Sequence, residues 1–370
     1  MTQTFLASVA RIADFNNNPY DVHPLDHSIW HSGDYVRTEV TGERSDLYAV
    51  EVCSGEMVPV QAGDQVIGAL GHREATLEGV GSYKAVRHGE MHALTSAGLL
   101  GVFTSYSILL PKPLSLSYRG HIVRDGHKVT MRQFAIKDKD RRFSVPTILI
   151  IGTSMSAGKT VTGRRLCEVL SQAGLNVVGC KLTGAGRYRD IASFKRAGAN
   201  RVFDFVDVGL PSTVVPEEEF RLAIRPLLSR IEALHPDFLV AETGASPLEP
   251  YNVEAAMQEL GDNIVGIILA ASDPYAVVGV KQAFGVKPDL VTGPAANTSA
   301  AVALVRKLAD LPAINVIDGV TMPEFAAFLS KMLDRDLLAT SSNLPQSAGA
   351  SNQICGVDNG ASSASRNASS

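Results

Sequence analysis

Residues 148–163 read ILIIGTSMSAGKTVTG: four apolar residues run into a glycine, a small polar stretch follows, and Gly158, Lys159 and Thr160 close it. A loop that holds phosphate needs glycines so that main-chain N–H groups can turn inward, and a helix N-terminus aimed at the anion. It also needs a lysine for the terminal phosphates and a hydroxyl for magnesium. Gly152, Thr153, Ser156, Ala157 and Gly158 supply the wall of such a loop, Lys159 the cation and Thr160 the hydroxyl. Five residues, Thr153 to Ala157, separate the glycines, one more than the pattern G-x-x-x-x-G-K-[ST] has. The simpler reading is a glycine-rich strand-to-helix turn with a surface lysine; the flanking elements favour the phosphate loop.

Those elements are legible in the apolar spacing. TILIIG is a buried-strand run, and KTVTGRRLCEVLSQAG sets Val161, Leu166, Val169 and Leu170 at helical spacing before Gly174. LNVVGCK returns as a strand and completes a βαβ unit. Apolar runs recur at DFLVAE, NIVGIILA, PDLVTG and INVIDG, separated by helical stretches such as EEEFRLAIRPLLSRIEAL and TSAAVALVRKLAD. The alternation predicts an α/β fold, a mostly parallel sheet with helices on both faces, which binds ligands at the carboxyl ends of its strands.

The chain of 370 residues suggests two such cores. Residues 1–35 read as irregular, and 36–137 as a smaller β-rich barrel or sandwich of short runs punctuated by glycine and proline. Residues 138–340 form the P-loop domain, entered through the charged segment KDKDRRFSVP, and 341–370 read as a disordered tail. The net charge of −4 argues against a nucleic-acid binder, and four scattered cysteines indicate neither zinc cage nor disulfide framework. Without a secretory leader or an apolar run long enough for a bilayer, the sequence reads as a cytoplasmic protein that does not enter a membrane.

GTSMSAGKT resembles the extended phosphate loop of the dethiobiotin synthetase family, and the likeness continues through VLSQAGLNVVGCKLTGAG, over about residues 147–250. The resemblance implies ATP and Mg2+ as cofactors, Lys181 as a second active-site lysine, Asp190 as a metal-binding aspartate and Glu242 as a further metal ligand. It implies a homodimer as well, and it sets Asn297 in a place comparable to the family's base-binding asparagine. Phosphoryl transfer needs charge neutralised and oxygens aligned; Lys159, Lys181, and a metal held through Thr160, Asp190 and Glu242 would do both. This sequence departs from the family at Ser154, where aspartate is usual, and at TGASPLEP in place of a glycine-rich segment. TGAGRYRD replaces the substrate loop and brings Arg187 and Arg189, which suit a small anionic acceptor.

The leading expectation is an enzyme that phosphorylates a carboxylate or carbamate of a small anionic metabolite, in the manner of a ligase. A nucleotide-gated switch or chaperone acting on a protein partner is the second, and an amino-acid acyltransferase-type P-loop protein the third. Elsewhere, His23, His27 and His31 are spaced by four, but Pro24 disfavours a helix, and a plain surface segment is preferred to a metal site. His72, His88 and His92, with Arg73 and Glu90, read as polar β-turns rather than a cleft. Asp204 and Asp207 read as a strand end and turn.

Overall fold

Between Tyr35 and Arg124 the apolar residues alternate sides, as a half-buried sheet requires. The structure, a computed structural model describing residues 2–42, 49–139, 141–244 and 246–337, closes that pattern into a small barrel. Strands Gln65–Leu70, Tyr35–Val40, Ser115–Arg124, Glu90–Ala93 and Leu99–Tyr106 are hydrogen-bonded in that order, and the last returns to the first through a parallel pairing of Leu99 with Ala69. Closure depends on Gly68, where a Cβ would stand 2.3 Å from Gly98 O. Val36, Val66, Leu70, Met91, Leu100 and Leu116 fill one side of this sheet. Tyr35, Ile67, Ala69 and Ile122 point the other way and merge with the core of the second unit.

The first 35 residues, expected to be irregular, contribute two strands. Thr4–Leu6 runs parallel to Gln65–Ile67, and Asp21–His23 pairs with His121–Val123. Pattern alone misses them because each is only three residues long.

The second unit is a six-stranded sheet in the order Arg201–Asp204, Val177–Thr183, Phe238–Thr243, Thr147–Gly152, Ile264–Ala270, Leu290–Thr292, parallel throughout. Both faces are covered, which is why its strands are continuous apolar runs. Ile148 and Ile150 join the core beneath α1 (Lys159–Gln172), α2 (Tyr188–Arg196) and a helix at Met322–Leu333. Leu149 and Ile151 join the core beneath α3 (Glu217–Glu232), α4 (Val253–Leu260) and further helices at Pro274–Phe284 and Ser299–Ala309. The fold is therefore the expected α/β sheet with a smaller β-rich unit.

INVIDG, expected as a strand, is not one. Ala313 makes a single bridge to Val291, after which Asn315 and Asp318 take the amides of Ile317 and Val320 and turn the chain away. The tail 341–370 lies outside the described residues. Among the described residues, no helix is long and apolar enough to cross a membrane.

Strands Thr147–Gly152 and Phe238–Thr243 are neighbours, yet the helices that follow them, α1 and α4, lie on opposite faces. The crevice between their carboxyl ends is the topological switch point, where such sheets take ligands.

Candidate functional site

The loop at that switch point is pinned at its entrance. Thr153 N donates to Ala270 O at 3.1 Å, and Ser272 N donates to Thr153 Oγ1 at 3.0 Å. At its exit Gly158 has φ +97° and packs on Gly293, where a Cβ would fall 2.2 Å from Ala157 O. This close approach requires glycine at both places. Ala157 is buried between them. The amides of Lys159 and Thr160 head α1 and have no acceptor within the helix, so the loop ends in donors suited to an anion.

Lys159 is 3% exposed, and its stem crosses beneath Gly152, where a Cβ would lie 2.7 Å from Lys159 Cδ. Its Nζ donates to Ser154 O at 2.5 Å. The longer spacer is thus wrapped around its own lysine, with Ser154 turned inside and buried. Burial pulls the Lys159 ammonium down to about 8, against the opposing pull of Glu242.

Glu242 sits in register with Ile150 on one side and Lys181 on the other, so parallel pairing sets all three at one level of the sheet. Thr160 Oγ1 donates to Glu242 Oε2 at 3.2 Å, and Lys181 Nζ reaches Asp190 Oδ2 at 2.6 Å and Ala185 O at 3.4 Å. Asp190 stands in the first turn of α2, where the helix dipole favours a carboxylate. Burial raises the Glu242 carboxyl above its ordinary range, with Lys181 working against it. Lys181 itself is raised: burial opposes its charge, but Asp190 and Glu242 together outweigh burial.

Thr160, Glu242 and Asp190 are all oxygen donors of the kind Mg2+ prefers, and they line one cavity. Thr160 and Glu242 are already adjacent, whereas Asp190 is engaged by Lys181. Among the described residues, no group of three His, Cys, Asp or Glu could hold a metal alone. Mg2+ commonly takes one or two carboxylates and completes its shell with water and phosphate oxygens, so the donor set fits a nucleotide-bound ion.

The cavity, about 230 Å³, is shared by the two units. Lys159, Lys181 and Arg187 line it from the sheet, and Arg73, Phe103 and Tyr106 from the barrel. Arg187 is exposed and faces this space, whereas Arg189 turns to Glu51, 3.8 Å away. Glu51 is fully buried and also accepts from Ser8 Oγ at 2.5 Å and Tyr188 N at 2.6 Å, so the barrel fixes the start of α2. Asn297 does not line the cavity. It is exposed, follows the turn that begins at Gly293, and takes Asn315 Nδ2 at 3.3 Å.

Ser156, expected as loop wall, donates its hydroxyl to Glu78 Oε1 of the barrel at 3.1 Å. Sequence reading missed Glu78 and Glu51, and set Arg73 among plain turns; nothing local in GHREATLEG says that this hairpin folds over a loop some eighty residues away. The other constellations keep apart. His27 reaches Tyr83 O, His31 meets Lys128, and His23 pairs in a strand. His72 packs at a tilt against Tyr83, His92 accepts from Phe103 N, and His88 holds a left-handed turn with φ 52°. Asp204 and Asp207 both bind Arg11, at 2.6 and 2.8 Å.

The parallel sheet, the glycine-bracketed loop and the helix that follows it make an α/β fold of the P-loop kind, with an added β-barrel. No family model matches the chain, and no curated protein matches it. Solved structures that it resembles include chloroplast FtsY from Physcomitrella patens, at 13% identity and TM-score 0.35, over 54% of this chain and 70% of that one. FtsY from Mycoplasma mycoides is similar at 14% identity and TM-score 0.35 over the same shares. The signal recognition particle receptor FtsY from Elizabethkingia anophelis in complex with GDP is similar at 16% identity and TM-score 0.33, over 54% of this chain and 66% of that one.

Proposed function

We propose that the protein is a nucleoside-triphosphate-dependent enzyme that activates an oxyanion of a small anionic metabolite by phosphorylating it. In this reading the donor amides of Lys159 and Thr160 and the Lys159 ammonium hold the β- and γ-phosphates. An acceptor carboxylate or carbamate attacks the γ-phosphorus, the bond from that phosphorus to the β,γ-bridging oxygen breaks, and the diphosphate leaves with the electron pair. An amine or water then attacks the acyl phosphate, and inorganic phosphate departs. Lys181 and Arg187 neutralise the approaching anion, and Lys181 keeps its proton because Asp190 and Glu242 surround it. A bound Mg2+, held through Thr160 and Glu242, would supply charge neutralisation at the phosphates.

The observation that carries this reading is the burial of two lysines in one cavity with Glu242: Lys159 at the head of α1 and Lys181 in register beside Glu242. A bare nucleotide switch has no need of the second lysine. The likeness to dethiobiotin synthetase in the loop and at Lys181 supports carboxyl activation, and ATP as the nucleotide, with GTP to be compared directly.

The test is phosphate release by the purified protein with Mg2+ and either ATP or GTP, alone and with fractionated pools of small anionic metabolites. Turnover that requires one metabolite supports the enzyme. Slow basal hydrolysis that only a protein accelerates favours the second reading, a nucleotide-gated switch, which the contact between Ser156 and Glu78 of the barrel would serve.

A further inference from the structure

The barrel does more than roof the cavity. Hairpin His72–Ala75 and Gly79–Ser82 brings Arg73 and Glu78 together, and Glu78 bridges two partners. One of its oxygens takes the hydroxyl of Ser156 on the phosphate loop at 3.1 Å, and the other holds the Arg73 guanidinium. Arg73 also donates to Leu94 O, lies 5.9 Å from the Phe103 ring centroid, and keeps a buried Nε without a hydrogen-bond partner among the described residues. It lines the same cavity as Lys159, Thr160 and Lys181. A carboxylate therefore lies against the outer face of a loop built for phosphate, with an arginine one carboxylate's width behind it.

We propose that Arg73 is a ligand of the terminal phosphate, delivered from the barrel, and that Glu78 holds it in reserve by standing in for that phosphate. A γ-phosphate entering the loop competes with Glu78 for Ser156 and for the guanidinium. Once displaced, Glu78 leaves Arg73 paired to the phosphate, for which its planar fork is suited. A diphosphate ends short of this position and leaves the Glu78 bridge intact. Arg73 is then the residue by which the site tells triphosphate from diphosphate. This rests on the proposed nucleotide site and adds a residue from outside the α/β unit to it.

The experiment titrates the full chain with fluorescent mant-labelled, non-hydrolysable triphosphate analogues and the matching diphosphates of adenosine and guanosine, in Mg2+. Wild type, Arg73→Ala, Arg73→Lys and Glu78→Gln are compared, with circular dichroism and melting to show each is folded. Arg73→Ala is expected to weaken the triphosphate about tenfold, the scale of one charged contact, and to leave the diphosphate within about twofold. Arg73→Lys should recover part of the loss, and Glu78→Gln should strengthen the triphosphate several-fold. An unchanged triphosphate-to-diphosphate ratio in folded Arg73→Ala overturns the proposal while the nucleotide site stands. Wild-type protein that binds no nucleotide overturns both, and Glu78→Gln that weakens the triphosphate overturns the reserve role of Glu78.

Discussion

Lys181 Nζ and Asp190 Oδ2 meet at 2.6 Å where the two side chains are only 8% and 12% exposed, and Glu242 stands beside Lys181 on the next strand. Both partners have left water, so each depends on the other to offset its desolvation. Asp190→Ala leaves a buried ammonium with Glu242 as its remaining neighbour, and should cost about 3 kcal/mol, at the low end for breaking a buried pair. Urea unfolding of Asp190→Ala, Asp190→Asn and the double variant Lys181→Met with Asp190→Leu would check this. The double variant should recover most of the loss, and a single variant as stable as wild type would show that the pair is solvated.

Lys159→Ala should abolish nucleotide binding and leave the fold intact, because the Lys159 stem lies under Gly152 and, among the described residues, its ammonium donates to Ser154 O of its own loop. Unchanged nucleotide affinity in a folded variant would count against the site.

Burial sets Lys159 at about 8 in the free protein, below its ordinary 10.5. Between those values the unfolded chain holds a proton that the folded chain has released, so this group makes stability rise with pH across that window. A bound triphosphate restores the proton. Nucleotide binding is therefore expected to take up close to one proton at about pH 9 and far less at about pH 6.5, as measured by calorimetry in buffers of differing ionisation enthalpy. Uptake that does not depend on pH would contradict the burial of this lysine.

Glu242→Gln should lower Mg2+-dependent turnover by at least about 10²-fold, while triphosphate affinity changes by less than about threefold. The carboxylate touches Thr160 but does not line the lysine's contact with the loop. Single-turnover kinetics beside equilibrium binding separates the two effects.

Arg11 lies between Asp204 and Asp207 and over the Tyr188 ring at 4.7 Å. Burial lifts Asp207 from 3.8 to about 6, with Arg11 pulling the other way. Its contribution to stability is full below the unfolded value and is lost as pH rises through about 6. Arg11→Ala removes the opposing cation, so its cost should be about 3 kcal/mol at about pH 8 and clearly smaller at about pH 5. Equal costs at the two pH values would show that Asp207 does not change charge beside this arginine between them.

Much of this was written in the chain. TILIIG and the glycines around Lys159 announce a buried strand, a tight turn and a helix, because each depends on residues within a few positions. The parallel sheet follows from its continuous apolar runs. Glu242 and Lys181 could be set on the ligand side, since both close strands. What stayed hidden is whatever depends on the barrel's seat. Arg189 reads as a second substrate arginine, yet a glutamate from Ala49–Glu51 takes it, and no spacing connects residues 51 and 189. Arg73 and Glu78 occupy an ordinary hairpin until that hairpin folds over Ser156. The strand Thr4–Leu6 is too short to declare itself, and INVIDG has strand composition but side chains at Asn315 and Asp318 that cap its backbone instead.

Val9, Tyr35 and Ile67 from the barrel share one unbroken apolar cluster with Val178, Leu182 and Phe205 from the sheet. A seam of this kind offers no plane along which the polypeptide could be divided without wetting oil-like surface on both sides. Heating should accordingly melt the whole molecule in a single step. A fragment beginning at the P-loop strand would emerge from a ribosome with the barrel-facing part of that cluster bare, and would seek aggregation before it sought phosphate.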